Sequence, residues 1–110
     1  MTIHAGLASG RWWTLSLAEQ LGNAGADVGR AIRARDERDQ GRFDAAFDRA
    51  LELLDLTLAD PRWSGPRLRE IARTREVVCD FLVGDNRYGS TPEVLENYFL
   101  AFAIAARRNR

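Results

Sequence analysis

The sequence of 110 residues predicts an all-α protein, an antiparallel up-and-down four-helix bundle forming a single domain. Three observations carry that prediction. Apolar residues recur at helical spacing in four segments, glycine and proline punctuate the junctions, and no alternating run of β-branched residues marks a strand. Connections of roughly two to eight residues favour antiparallel neighbours.

The first helix is expected from about Thr14 to Arg38, with Leu17, Leu21, Ala24, Val28 and Ile32 at near-heptad spacing. Its charged C-terminal part leads to Gly41, read as the turn. The second helix runs from about Arg42 to Ala59, with Phe43, Phe47, Ala50, Leu54 and Leu58 on one stripe. Asp60-Pro61 ends it, because the residue before a proline avoids the α region. Ser64-Gly65-Pro66 opens the third helix, with Pro66 suited to the first turn. It reaches about Val83, and Gly84 is expected in the left-handed C-terminal cap. The fourth starts at Ser90-Thr91-Pro92-Glu93, capped by Thr91 directly or by a Ser90–Glu93 capping box.

This last helix departs from ordinary amphipathic patterning. Tyr98 to Ala106 is nine apolar residues without a break. Leu95, Phe99, Phe102 and Ala106 make one face, and Leu100 and Ile104 cover much of the opposite one. A surface helix of a monomer should carry a polar back. The run also falls well short of the ~20 residues that cross a bilayer. The expected cover for the second face is another copy of the chain or a protein partner.

Apolar content of 45% and charged content of 29% describe a globular protein rather than a disordered or membrane one. Sixteen acids balance sixteen bases, so no global field draws the chain to nucleic acid or membrane. Every base is Arg, which fits either a GC-rich genome or selection for bidentate anion contacts. A single Cys and the absence of a signal-peptide pattern point to a cytoplasmic home. Met1 to Gly10 reads as a flexible tail.

Several residues break the bundle pattern. Gly22, Gly25 and Gly29 line one side of the first helix, each costing about 1 kcal/mol relative to Ala. Such a stripe serves close packing inside the bundle, a subunit contact, or a ligand at the backbone. Arg75 sits in the apolar face of the third helix and needs a partner, with Glu19 and Asp55 as candidates, or it awaits an anion. Trp12 and Trp13 precede the first helix, where either one of them anchors an interface or both close the end of the core with Trp63. The loop containing Asp85 and Asn86 joins two helix ends, where it is either a plain turn or an anion site. Asp44, Asp48, Glu52 and Asp55 form an acidic edge on the second helix.

No catalytic residue, metal ligand or cofactor is expected. The only His is His4 in the tail, and Cys79 lies on an apolar face, so nucleophilic catalysis lacks its pair. Helical ribonucleases of the HEPN type use an Arg followed closely by His, and that pair is missing. The acidic edge has no Glu-x-x-His companion.

Several strings resemble a group of short, uncharacterised bacterial proteins: S-G-R-W-W-T-L-S-L-A-E-Q from Ser9, F-D-R-A-L-E-L-L-D-L-T from Phe47, R-E-V-V-C-D-F from Arg75, G-D-N from Gly84, and F-A-I-A-A-R-R-N-R from Phe102. The resemblance implies one compact domain and no chemistry. The expected architecture is also similar to small bacterial four-helix proteins that form rings, serve as accessory subunits to reverse transcriptases or occur with ribosomal RNA insertions.

The expectation is therefore a non-enzymatic, self-associating interaction or accessory subunit. Its oligomer interface is assigned to Tyr98, Leu100, Ala101 and Ile104, with Gly22, Gly25 and Gly29. Contacts to a partner or an anion fall to Trp12, Arg30, Arg33, Arg75, Asp85, Asn86, Arg107 and Arg108. The alternative is an RNA- or DNA-binding accessory protein, using Arg30, Arg33, Arg35, Arg38 and Arg42 with Arg107, Arg108 and Arg110, multiplied by oligomerisation.

Overall fold

A computed structural model describes residues 10–108, so His4, Arg110 and the expected tail up to residue 9 lie outside the described residues. A turn of 3₁₀ helix, Arg11–Thr14, leads into four helices: α1 (Leu17–Asp36), α2 (Gln40–Leu58), α3 (Gly65–Leu82) and α4 (Pro92–Arg108). Among the described residues there is no strand. None of the described helices is long and apolar enough to cross a membrane.

The helices alternate in direction around α1. Trp12 and Gln20 bond to Thr57 and Asp60, while Asp27 pairs with Arg49, so α1 and α2 are antiparallel. Gly22 faces Ala103 and Gly25 faces Phe99, which sets α4 antiparallel to α1. The core is made by Leu21, Ala24, Val28 and Ile32 of α1 against Ala50 and Leu54 of α2, Val78 of α3, and Leu95 and Phe99 of α4. These are the stripes that the spacing predicts.

Several local expectations are corrected by backbone chemistry. α1 begins at Leu17 because Ser16 and Glu19 form a capping box, while Thr14 stays in the 3₁₀ turn. The α1–α2 turn does not use Gly41, which lies within α2. Arg38 takes the left-handed position instead, at φ 58°, and the Arg38 and Asp39 amides close a Schellman motif onto Arg35 and Ala34. Asp39 then caps α2. Gly84 is not left-handed; a Cβ there would lie 3.0 Å from the Asp80 backbone, so it is required by close approach. Asn86 supplies the positive φ, and Thr91 caps α4 through the Val94 amide, without the Ser90–Glu93 box.

Candidate functional site

The end of the bundle where α1 begins holds a buried polar network that wheel reasoning does not find. Trp12 is 1% exposed and donates its indole N–H to Thr57 Oγ1 at 2.9 Å. The Gln20 amide nitrogen bonds the Trp12 carbonyl and Asp60 Oδ2, both at 2.9 Å, and its oxygen accepts from Trp63 Nε1 at 2.8 Å. Arg62 closes the network on Asp60 at 2.7 Å and stacks over Trp63. Burial pushes the Asp60 carboxyl up, but the Arg62 and Gln20 hydrogen bonds outweigh it and hold it below the usual carboxylate range. Every indole here has a hydrogen-bond acceptor, since Trp13 donates to the Leu56 carbonyl. A network satisfied in this way fixes structure and offers no open valence to a ligand. Trp12 is thus removed from the partner contacts, whereas Trp13 is the exposed member of the pair, at 39%.

Of three further expected contacts, Arg75 and Asn86 are consumed by the fold and Asp85 is not. Arg75 donates from Nε to Asp55 at 2.6 Å, and this hydrogen bond raises its pKa further. Glu19 serves the α1 cap. The Arg75–Asp55 pair is half-exposed rather than buried. Cys79 lies within 4.0 Å of Arg75, and burial pushes its thiol up, away from the reactive thiolate. In the α3–α4 loop, Asp80 accepts from the Arg87 and Tyr88 amides, and the Asn86 side chain exchanges hydrogen bonds with the Ser90 backbone. Asp85 is exposed beside Arg87. The Arg87, Tyr88 and Ser90 amides are occupied, and the Asn86 side chain is spent on the turn.

The expected oligomer interface divides. Tyr98 turns inward: its hydroxyl bonds Thr74 at 2.8 Å and Glu70 at 3.0 Å, and its ring packs edge-on against Phe99 and Phe102. Burial raises its pKa to about 12. Gly22 and Gly25 seat α4, where a Cβ on Gly25 would fall 2.3 Å from Phe99 Cβ. Leu100, Ala101 and Ile104 remain outside, joined by Val94, which the apolar run did not include. Val94, Leu100 and Ile104 are 61, 48 and 39% exposed. Beside them a groove of about 400 Å³ runs between α1 and α4, with the glycines on its floor and Leu100 in its wall.

The arginines also sort themselves. Arg35 stacks over Phe81 and donates to the Phe81 carbonyl, and Arg38 makes the turn. Arg107 and Arg108 are exposed at the end of α4. Arg30, Arg33 and Arg42 converge with Arg49, which the sequence reading left out, along a groove of about 390 Å³ between α1 and α2. Buried Asp27 anchors Arg30 at 2.9 Å and Arg49 at 3.3 Å. The acidic edge of α2 does not close into a metal centre: Asp55 pairs with Arg75 and Asp44 with Gln40. Among the described residues no three His, Cys, Asp or Glu side chains converge as metal ligands. No family model, curated protein or solved structure matches the chain, so these surfaces are read from their own geometry.

Proposed function

We propose that the protein is a non-enzymatic interaction or accessory subunit that self-associates through the outer face of α4. The observation that carries this reading is the exposure of Val94, Leu100 and Ile104 on one helix. Neighbouring large apolar side chains left in water on a small domain mark an interaction surface.

A second copy is the occupant that fits best. The exposed N-terminal end of α4 carries Glu93 and Glu96, and its C-terminal end carries Arg107 and Arg108. An antiparallel α4–α4 pair sets each acidic end against a basic one, while a parallel pair sets like against like. Finishing the burial of half-exposed Val, Leu and Ile side chains contributes about 1 kcal/mol each. Over two copies that is about 6 kcal/mol, near the low end of the association cost of about 4–15 kcal/mol. The reading therefore implies a concentration-dependent dimer that uses the adjoining α1–α4 groove for further contact.

Light scattering on a size-exclusion column tests it across a range of protein concentrations. The expected result is a dimer that Leu100→Glu or Ile104→Glu converts to soluble, folded monomer. A wild-type chain that stays monomeric at several hundred micromolar, or an oligomer indifferent to both substitutions, refutes the assignment.

A further inference from the structure

Gly22 and Gly25 are explained by α4, but Gly29 is not. It is buried, and a Cβ added there would meet only Arg33, with Nη1 at 3.4 Å and Nη2 at 3.9 Å. No other helix comes within that range. A methyl there would sit at ordinary contact distance from that guanidinium, so packing alone does not call for glycine. Arg33 forms no ion pair among the described residues, and it lines both the α1–α4 and the α1–α2 grooves.

Its neighbours are organised around it. Asp27, with its side chain 7% exposed, grips one nitrogen each of Arg30 and Arg49. That leaves most of their N–H donors unused while fixing where the two guanidinium groups stand. Arg42 stands on the same groove and is tethered only at 3.4 Å to Asp39. Four guanidinium groups thus share one groove of about 390 Å³, with Arg33 among them and uncompensated.

We propose that this α1–α2 groove binds a small phosphate-bearing ligand, with Arg33 as the central contact and Arg30 and Arg42 beside it. The planar guanidinium fork matches the oxygens of a phosphate group, and several forks wrap one or two such groups. The surroundings select against a long nucleic-acid strand. Glu37 lines the groove, and Asp36 and Asp39 lie at the same end of α1, where a phosphodiester backbone would need further bases. Arg30 and Arg33 also line the α1–α4 groove, whereas Arg42 and Arg49 line the α1–α2 groove alone.

Isothermal titration at low ionic strength with pyrophosphate tests the proposal, using wild type, Arg33→Gln and Gly29→Ala. The expected result is saturable binding at one site per chain, weakened at least tenfold by Arg33→Gln with an unchanged melting temperature. Gly29→Ala should raise the melting temperature by a few degrees and leave pyrophosphate binding unchanged, because the new methyl only touches the Arg33 head group. The Ile104→Glu chain, whose substitution lies outside both grooves, should bind as the wild type does. Absent binding, or affinity unchanged in Arg33→Gln, overturns the proposal. Binding of a single-stranded RNA 12-mer without binding of pyrophosphate would assign the groove to nucleic acid instead.

Discussion

Replacing Gly25 with alanine adds one methyl group at the tightest point of the fold. An ideal Cβ there lies 2.3 Å from Phe99 Cβ, 2.5 Å from Cγ and 2.9 Å from Cδ1. Carbon atoms settle at about 3.5–4.0 Å, so α4 must retreat by more than about 1 Å. Neither partner atom can rotate away, because each is the first atom of its side chain. Phe99 is 4% exposed and belongs to the core, so the displacement loosens the packing of α4 as a whole. Overpacking of this kind costs about 1–3 kcal/mol, and backbone-proximal contact places it at the upper end. The better helix propensity of alanine returns about 1 kcal/mol. The expected net loss is about 2 kcal/mol, a fall of roughly 8 °C in melting temperature for a chain of this size. Urea and thermal melts followed by far-ultraviolet circular dichroism measure it. Adding Phe99→Leu should not rescue the variant, because the offending atom is the Cβ that leucine keeps. A Gly25→Ala chain as stable as wild type would refute the seating of α4 on α1.

Antiparallel pairing of α4 makes a positional prediction. In a Cys79→Ser background, Ala101→Cys should cross-link two copies readily, while Val94→Cys should not. The two Val94 positions would lie about 20 Å apart, at 1.5 Å of rise per residue; cross-linking at both positions on non-reducing gels would establish a parallel pair. Tyr98 predicts a loss of stability at high pH. Its folded pKa of about 12 lies above the unfolded value near 10, so its contribution is complete below pH 10. That contribution declines as pH rises toward 12 and amounts to about 2 kcal/mol. Urea melts at stepped pH should show the decline, and Tyr98→Phe should flatten it; an equal slope in both chains would place the titrating group elsewhere.

The parts of the fold that sequence makes legible are those governed by periodicity. Leu21, Val28 and Leu54 are buried because a 3.6-residue repeat of large apolar groups leaves a helix one face to hide. Periodicity says nothing about which atoms meet across helices, and there the reading fell short. Tyr98 and Leu100 sit two residues apart in one apolar run, yet one reaches Thr74 and Glu70 while the other faces solvent. The Trp12–Gln20–Asp60–Trp63 network joins residues 40 or more positions apart, and no spacing rule encodes it. A signal did exist in Asp60-Pro61, since a carboxylate fixed at a helix end between tryptophans needs donors near it. Arg38 shows the same limit at the turn: an arginine accepted the left-handed position that glycine was expected to hold, because the Schellman hydrogen bonds repay the strain.

The stripe of glycines in α1 is best understood as two devices at one spacing. Gly22 and Gly25 surrender helix stability so that α4 can lie against α1, and the burial of Phe99 offsets that loss. Gly29 surrenders the same amount and receives no packing, only the head group of Arg33. Selection for stability alone would place alanine at Gly29, where its methyl would sit at ordinary contact distance from Arg33. The tryptophan end of the bundle contrasts with this, since each of its indoles and the Gln20 amide has a hydrogen-bond partner within the fold. Sacrificed helix propensity, an uncompensated guanidinium and exposed apolar side chains all gather on α1 and α4. Those two helices are where the chain departs from what folding alone requires, and they are where its interactions should be sought.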